Sequence, residues 1–205
     1  MERLLARLAT KGARRGLSVA AAALMAVAAV LLGAPVVTDL VHNSLQSHLR
    51  SQLQSSRLRS AYVTGTVREG DSLTRLTIPK IGVDVVVVQG TGASALRAGA
   101  GHYTTTPLPC TYGDVAIAGH RTTYGKPFAN VDLLAPGDVI TLATPVGSCV
   151  YRVTRAPFVV PNDDWAVVAN TPGVATLTLT SCHPKGSAAE RIVIKAAMVS
   201  SEALA

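Results

Sequence analysis

Apolar and polar positions follow two rhythms along this chain, and the change comes near residue 60. From Gly16 to Thr38 no residue is charged, a run of about the length that a helix needs to cross the core of a bilayer. The next stretch, DLVHNSLQSHLRSQLQSSRLRS, places leucines at 40, 45, 49, 53 and 58 with Ser and Gln between them, a helix-like spacing. It predicts a partly helical stalk over 39–60, a solvated spacer; contact of its arginines with lipid head groups is the alternative.

From Tyr62 onward short runs of Val, Ile, Leu and Thr alternate with turn residues about every ten positions. Strands are expected at 72–78, 83–89, 114–118, 139–143, 149–155, 175–180 and 191–197, with short pieces near Val63 and Phe158. Helical turns are expected at 93–98, 127–134 and 162–167, the last capped by Asn162 or Asp163. Many short strands with no long amphipathic helix between them argue for an all-β domain, a closed antiparallel barrel in preference to a sandwich. The chain thus divides into a basic tail 1–15, an apolar anchor 16–38, the stalk 39–60 and a folded domain 61–205.

Charge changes the picture. Residues 1–60 hold eight of the nineteen Lys/Arg and two of the twelve acids, so the net +7 belongs to the N-terminal part and the folded domain is nearly neutral. A nucleic-acid binder needs its basic groups on the folded surface, and that class is set aside. Five Lys/Arg precede the apolar run and none follows at once, which predicts a cytoplasmic N-terminus and an extracytoplasmic domain in a single-pass membrane protein. A cleavable signal peptide is the alternative and exports the same domain. Arg14-Arg15 lacks the follow-up of a twin-arginine signal.

Three cysteines in an exported domain suggest one disulfide and one thiol. Cys110 and Cys149 each stand at the mouth of an apolar strand, whereas Cys182 ends one and is followed by His-Pro. The expected pair is Cys110 with Cys149, leaving Cys182 free.

A free thiol at the rigid end of a strand suits a nucleophile, although a lone cysteine is more often structural. Its surroundings decide. Of the histidines at 42, 48, 102, 120 and 183, the first two fall in the stalk. His183 adjoins Cys182 but points to the opposite face of an extended chain, so a structural role is expected for it. His102 reads as hydrogen-bonded within a turn. His120 ends the apolar strand DVAIAGH and so stands at a strand mouth, as Cys182 does. Arg191 opens the last strand at a hairpin-like separation from Cys182 and would supply a permanent cation for an oxyanion; a surface ion pair with Glu190 is its alternative.

The order strand-His, strand-Cys, strand-Arg, seen as VAIAGHRTTYGKPF and TLTLTSCHPKGSAAER, resembles the sortases, and LTIPKIGVDVVVV and GHYTTTPLP are similar to sortase text upstream. GHRTTYG with CHP most resembles the actinobacterial class E enzymes. The resemblance implies an eight-stranded β-barrel and catalytic roles for His120, Cys182 and Arg191. It implies cleavage of a Thr-Gly bond in a Leu-Pro-x-Thr-Gly-like or Leu-Ala-x-Thr-Gly-like signal at the C-terminus of a secreted protein. Transfer of that protein to an amine of a lipid-linked peptidoglycan precursor would follow. Polymerisation of pilins and a catalytically silent barrel that binds surface proteins are the alternatives.

Ser181 stands where the family usually carries Thr, a swap that keeps the hydroxyl. Gly186 stands where class E members commonly carry Tyr, near the substrate groove, and Tyr124 would fill part of that space. An L,D-transpeptidase is a poorer match, because TLTSCHP lacks the Ser-x-Gly-Cys motif. Without CxxC, HxH or HExxH spacing, and with only Asp163-Asp164 as an acidic pair, no metal and no cofactor are expected.

Overall fold

The computed structural model describes residues 11–203, and the chain divides into two units at Leu40 and Val41. Residues 1–10 of the expected basic tail and the last two residues of the expected domain lie outside the described residues. Helix α1 spans Lys11–Leu53. Within its first unit, Arg14–Gly33 forms 20 residues of mean hydropathy 2.3, none of it buried. Leu24, Val30, Leu31 and Leu32 all stand exposed there, a composition suited to lipid and long enough to cross a bilayer.

The second unit holds the end of α1, helix α2 (Ser56–Thr64), strands β1 (Ser72–Ile78) and β2 (Val83–Gln89), and helix α3 (Ala93–Ala98). Strands β3 (Ala100–His102), β4 (Gly113–Ala118), β5 (Val139–Thr144), β6 (Gly147–Val153), β7 (Phe158–Pro161), β8 (Ala175–His183) and β9 (Glu190–Ala203) follow. Pairing runs β6-β5-β1-β2-β3-β4-β8-β9, and β9 returns to β6, which closes an eight-stranded barrel. Strand β7 is a ninth, added to the first residues of β9, while β6 takes β9 from Ala196 onward. The barrel is not antiparallel throughout. β2–β3 and β4–β8 are parallel, because α3 carries the chain back between the first two and β5 to β7 intervene between the second.

Alternation along the strands fills the barrel. Leu76, Ile78, Val85, Val87, Ile117, Ile140, Leu142, Leu177, Leu179 and Ile194 all belong to one buried cluster. β2 (VDVVVVQ) is apolar on both faces for a reason: Val86 and Val88 point away from that core into a second cluster with Leu49, Ala95 and Ala98.

That second cluster corrects the solvated stalk. Leu49 and Leu58 are buried, and the Gln46 amide donates to the carbonyls of Val86 (3.2 Å) and Ala98 (2.6 Å) while its Oε1 accepts from the Val86 N–H (2.7 Å). The Ser72 hydroxyl donates to the Leu49 carbonyl (3.0 Å). Residues 41–64 therefore buttress the barrel. The strand piece expected near Val63 is the end of α2, a helix capped by Ser55 and terminated by Gly65 in the left-handed region.

Other boundaries move too, most of all in β9, expected over 191–197 and running Glu190–Ala203. The strand expected at 149–155 begins at Gly147 and ends at Val153, and the turn expected at 127–134 narrows to a 3-10 turn at Val131–Leu133. A 3-10 turn at Trp165–Val168 is capped by Asp164, which accepts from the Ala166 N–H, and not by Asn162 or Asp163. Cys110 and Cys149 form a disulfide with Cα atoms 5.5 Å apart, tying the β3–β4 loop to β6, and Cys182 is the free cysteine among the described residues.

Candidate active site

The face of β4, β8 and β9 that the core does not use builds the site. With Ile117, Leu177, Leu179, Ile192 and Ile194 turned inward, strand alternation turns Asp114, Ala116 and Ala118 outward, with Thr176, Thr178, Thr180 and Cys182, and with Arg191, Val193 and Lys195. Across β8–β9, Cys182 pairs with Arg191, Thr180 with Val193 and Thr178 with Lys195. The loop between β7 and β8, with its turn Trp165–Val168, forms a wall beside this floor. Between them lies a cleft of about 220 Å³ whose lining includes His120, Cys182, Arg191, Ser181, Tyr103 and Trp165.

His120 stands two residues past the end of β4. Its backbone is fixed on both sides: Gly119 N–H donates to the Thr180 carbonyl (3.1 Å), and Phe128 N–H donates to the His120 carbonyl (3.1 Å). Gly119 is required here, since a Cβ on it would meet the buried Phe128 ring at 2.5 Å. The half-buried imidazole has its pKa lowered by desolvation, which favours the neutral base over the imidazolium. The Tyr124 ring lies 5.4 Å from it, centroid to centroid, and Arg97 stands 5.9 Å over Tyr124. Tyr124 thus shapes the outer side of the histidine.

Cys182 is half-buried and Arg191 likewise. Among the described residues no hydrogen bond joins Cys182 to His120 or to Arg191; the Arg191 Nη1 donates to the carbonyls of Ala188 and Glu190, each at 3.0 Å. Arg191 is therefore oriented by two backbone carbonyls, one in the turn before β9 and one at its first residue, and not by an ion pair with the Glu190 carboxylate. Ser181 is buried and its hydroxyl donates to the Gly119 carbonyl (2.8 Å), so it clamps the cysteine strand to the histidine strand.

Gly186 does not line the cleft. It lies exposed in the β8–β9 turn at φ +86°, a conformation that favours glycine and strains any side chain. The glycine that interrupts the class E pattern answers to the turn. His183 stays outside the cleft and approaches Arg121 Nη1 at 3.3 Å. His102 is not in a turn: it is fully buried on β3, with Nδ1 2.7 Å from Gln89 Oε1 and Nε2 2.9 Å from the Pro107 carbonyl, and burial pushes its pKa down to about 4. No group of His, Cys, Asp and Glu among the described residues is arranged to hold a metal ion.

Sequence reasoning missed Arg121. Only 4% exposed, it donates to the Cys182 carbonyl (3.2 Å) and the Ala129 carbonyl (3.4 Å) and pairs with Asp132 at 2.8 Å. The residue after His120 thus holds the backbone of Cys182. Tyr103 was missed as well; its hydroxyl lies 3.0 Å from the Thr180 hydroxyl in the cleft.

The family profile described as "Sortase domain" matches residues 76–199, from β1 into β9. The chain belongs to the sortase family. Sortase D of Bacillus subtilis is 32% identical over 58% of this chain and 60% of that protein. Sortase SrtE1 of Streptomyces coelicolor is 26% identical over 80% of this chain and 52% of that protein. This sortase therefore aligns with just over half of each curated relative's length. Among solved structures, a Clostridium perfringens sortase D5 transpeptidase superposes with a TM-score of 0.67 at 26% identity, covering 78% of this chain and 99% of that one.

Proposed function

We propose that this sortase is a cysteine transpeptidase in which Cys182 is the nucleophile, His120 the proton carrier and Arg191 the oxyanion donor. The observation that carries the reading is their convergence on one cleft, with Cys182 and Arg191 as register partners on its floor.

The Cys182 thiolate attacks the carbonyl carbon of a Thr-Gly bond, and the guanidinium of Arg191 stabilises the oxygen that becomes negative. The C–N bond breaks, the Gly amine leaves with a proton from His120, and a thioester to Cys182 remains. An incoming amine then gives a proton to His120 and attacks the thioester, forming a new amide and releasing the thiolate. Burial that favours a neutral His120 suits it to that second step, in which it must accept a proton.

The substrates in this reading are secreted proteins that end in a Leu-Pro-x-Thr-Gly-like or Leu-Ala-x-Thr-Gly-like signal, and the acceptor is an amine of a lipid-linked peptidoglycan precursor. The apolar helix holds the enzyme in the membrane where both arrive, with the N-terminus cytoplasmic and the barrel outside, as the basic residues before the span favour.

The test uses the full chain in detergent with Leu-Pro-x-Thr-Gly and Leu-Ala-x-Thr-Gly peptides and an amine, followed by mass spectrometry beside Cys182→Ala. A Thr-amine product that needs Cys182 is expected. Turnover with neither peptide, while either peptide still binds, would instead favour a silent barrel; an acceptor preference for a pilin lysine would favour pilus assembly.

A further inference from the structure

The outward face that carries Cys182 and Arg191 continues, four residues along the strands and about 13 Å away, to a polar cluster that the chemistry above does not use. Asp114 on β4 is 1% exposed. Its Oδ1 accepts from the Thr176 hydroxyl (2.9 Å), and its Oδ2 accepts from the Thr178 hydroxyl (2.7 Å) and from Lys195 Nζ (2.9 Å).

Only the carboxylate of this pair is buried, the Lys195 side chain being 29% exposed, and such a pair is a poor device for stability alone, because desolvation of the carboxylate offsets the attraction. Its geometry suggests another use. Nζ of Lys195 has three donors. One goes to Asp114 and one to the Thr178 hydroxyl (2.6 Å), both on the floor; the third goes to the Val167 carbonyl (2.7 Å), in the turn that forms the cleft wall. A second tie runs parallel to it: the Asn170 Oδ1 accepts from the Asp114 N–H (3.1 Å). Asp114 thus anchors the wall loop at two points, through Lys195 to residue 167 and through its own backbone to residue 170. The turn so held carries Trp165, Val167 and Val168, all of which line the cleft with Cys182.

We infer that Lys195 is a positioning residue for substrate: a strut from the barrel floor that fixes the height of the wall and so the width of the groove for the peptide upstream of the scissile bond. The substrate class rests on the transpeptidase reading; the strut itself does not. Lys195 reaches no reacting atom and acts through the Val167 backbone.

The sequence contains a single tryptophan, and it is Trp165, 67% exposed on the wall, so its fluorescence reports wall motion without any substrate. In full-length protein, Lys195→Met is expected to lower Trp165 anisotropy and to raise peptide KM about tenfold, the equivalent of one charge-assisted hydrogen bond. It should leave kcat and the rate of Cys182 alkylation by iodoacetamide close to wild type. The double variant Asp114→Asn, Lys195→Met leaves no buried charge unpaired and decides the matter if the single variant does not fold. Unchanged anisotropy and unchanged KM in a folded variant would overturn the proposal, as would a fall in kcat at constant KM. If the wild type gives no Cys182-dependent product, the transpeptidase reading fails, and Trp165 anisotropy alone then decides the strut.

Discussion

Cys182 and Arg191 stand directly opposite one another in the antiparallel β8–β9 pair, so the backbone ladder, not a flexible loop, sets the spacing between thiol and guanidinium. Directly paired residues on one face lie about 5 Å apart at Cβ. Replacing Arg191 by Lys keeps the charge but loses the planar fork. The expected result is a fall in kcat/KM on the order of 10²-fold, with the melting temperature unchanged because, among the described residues, the side chain bonds only to the carbonyls of Ala188 and Glu190 close by in the chain. Steady-state hydrolysis of a sorting-signal peptide, with a parallel melt, checks this.

Arg121, beside the Ser181–Gly119 hydrogen bond, ties the segment that follows β4 to the end of β8. Arg121→Leu removes the donor to the Cys182 carbonyl and is expected to cost about 1–3 kcal/mol of stability and to lower kcat. The cost stays in that range because Asp132 has a side chain 41% exposed and returns to water. Arg121→Lys, a single-point donor, should restore part of the stability and less of the rate. Urea unfolding and kinetics on the same preparations separate the two effects.

The Cys110–Cys149 bridge closes a loop of sequence separation 39 and takes no part in the cleft. Reducing it is expected to lower stability by about 2–4 kcal/mol, chiefly by freeing the unfolded chain. The double variant Cys110→Ser, Cys149→Ser should show the same loss with Cys182-dependent turnover retained at low temperature. Denaturant titration with and without reductant measures the difference.

His102 gives the fold a defined acid sensitivity. Its pKa is about 4 in the folded protein and near the ordinary imidazole value when unfolded, so between those values the unfolded chain binds one proton more. This contribution is intact above the unfolded value and is lost as pH falls toward 4, a change on the order of 3 kcal/mol. Wild type should therefore lose stability between pH 7 and pH 4 more steeply than His102→Gln. Parallel pH slopes for the two proteins would contradict the assignment.

Much of the barrel was legible because apolar and polar residues alternate with period 2 in the sequence of β1, β5 and β8, although burial follows that alternation fully only in β5 and β8 is buried on both faces over residues 177–181. β3 was not, since three residues reading AGH carry no period. The stalk failed for a different reason: the spacing of Leu49, Leu53 and Leu58 is the same for a solvated helix and for one packed on a sheet, and only the double-sided apolar pattern of β2 hinted at a cover. In the site, the separation of Cys182 from Arg191 predicted their pairing. Arg121 and Lys195 stayed hidden because a sequence gives a cation's identity but not its burial, and each acts on a backbone carbonyl far along the chain.

Trapping the acyl-enzyme tests directly whether Cys182 is the nucleophile. The full chain is mixed with a sorting-signal peptide without added amine, quenched in acid and mapped by mass spectrometry. A thioester carrying the peptide up to its Thr is expected on Cys182 alone and absent from Cys182→Ala. An acyl group on another residue, or the same cleavage by Cys182→Ala, would contradict it.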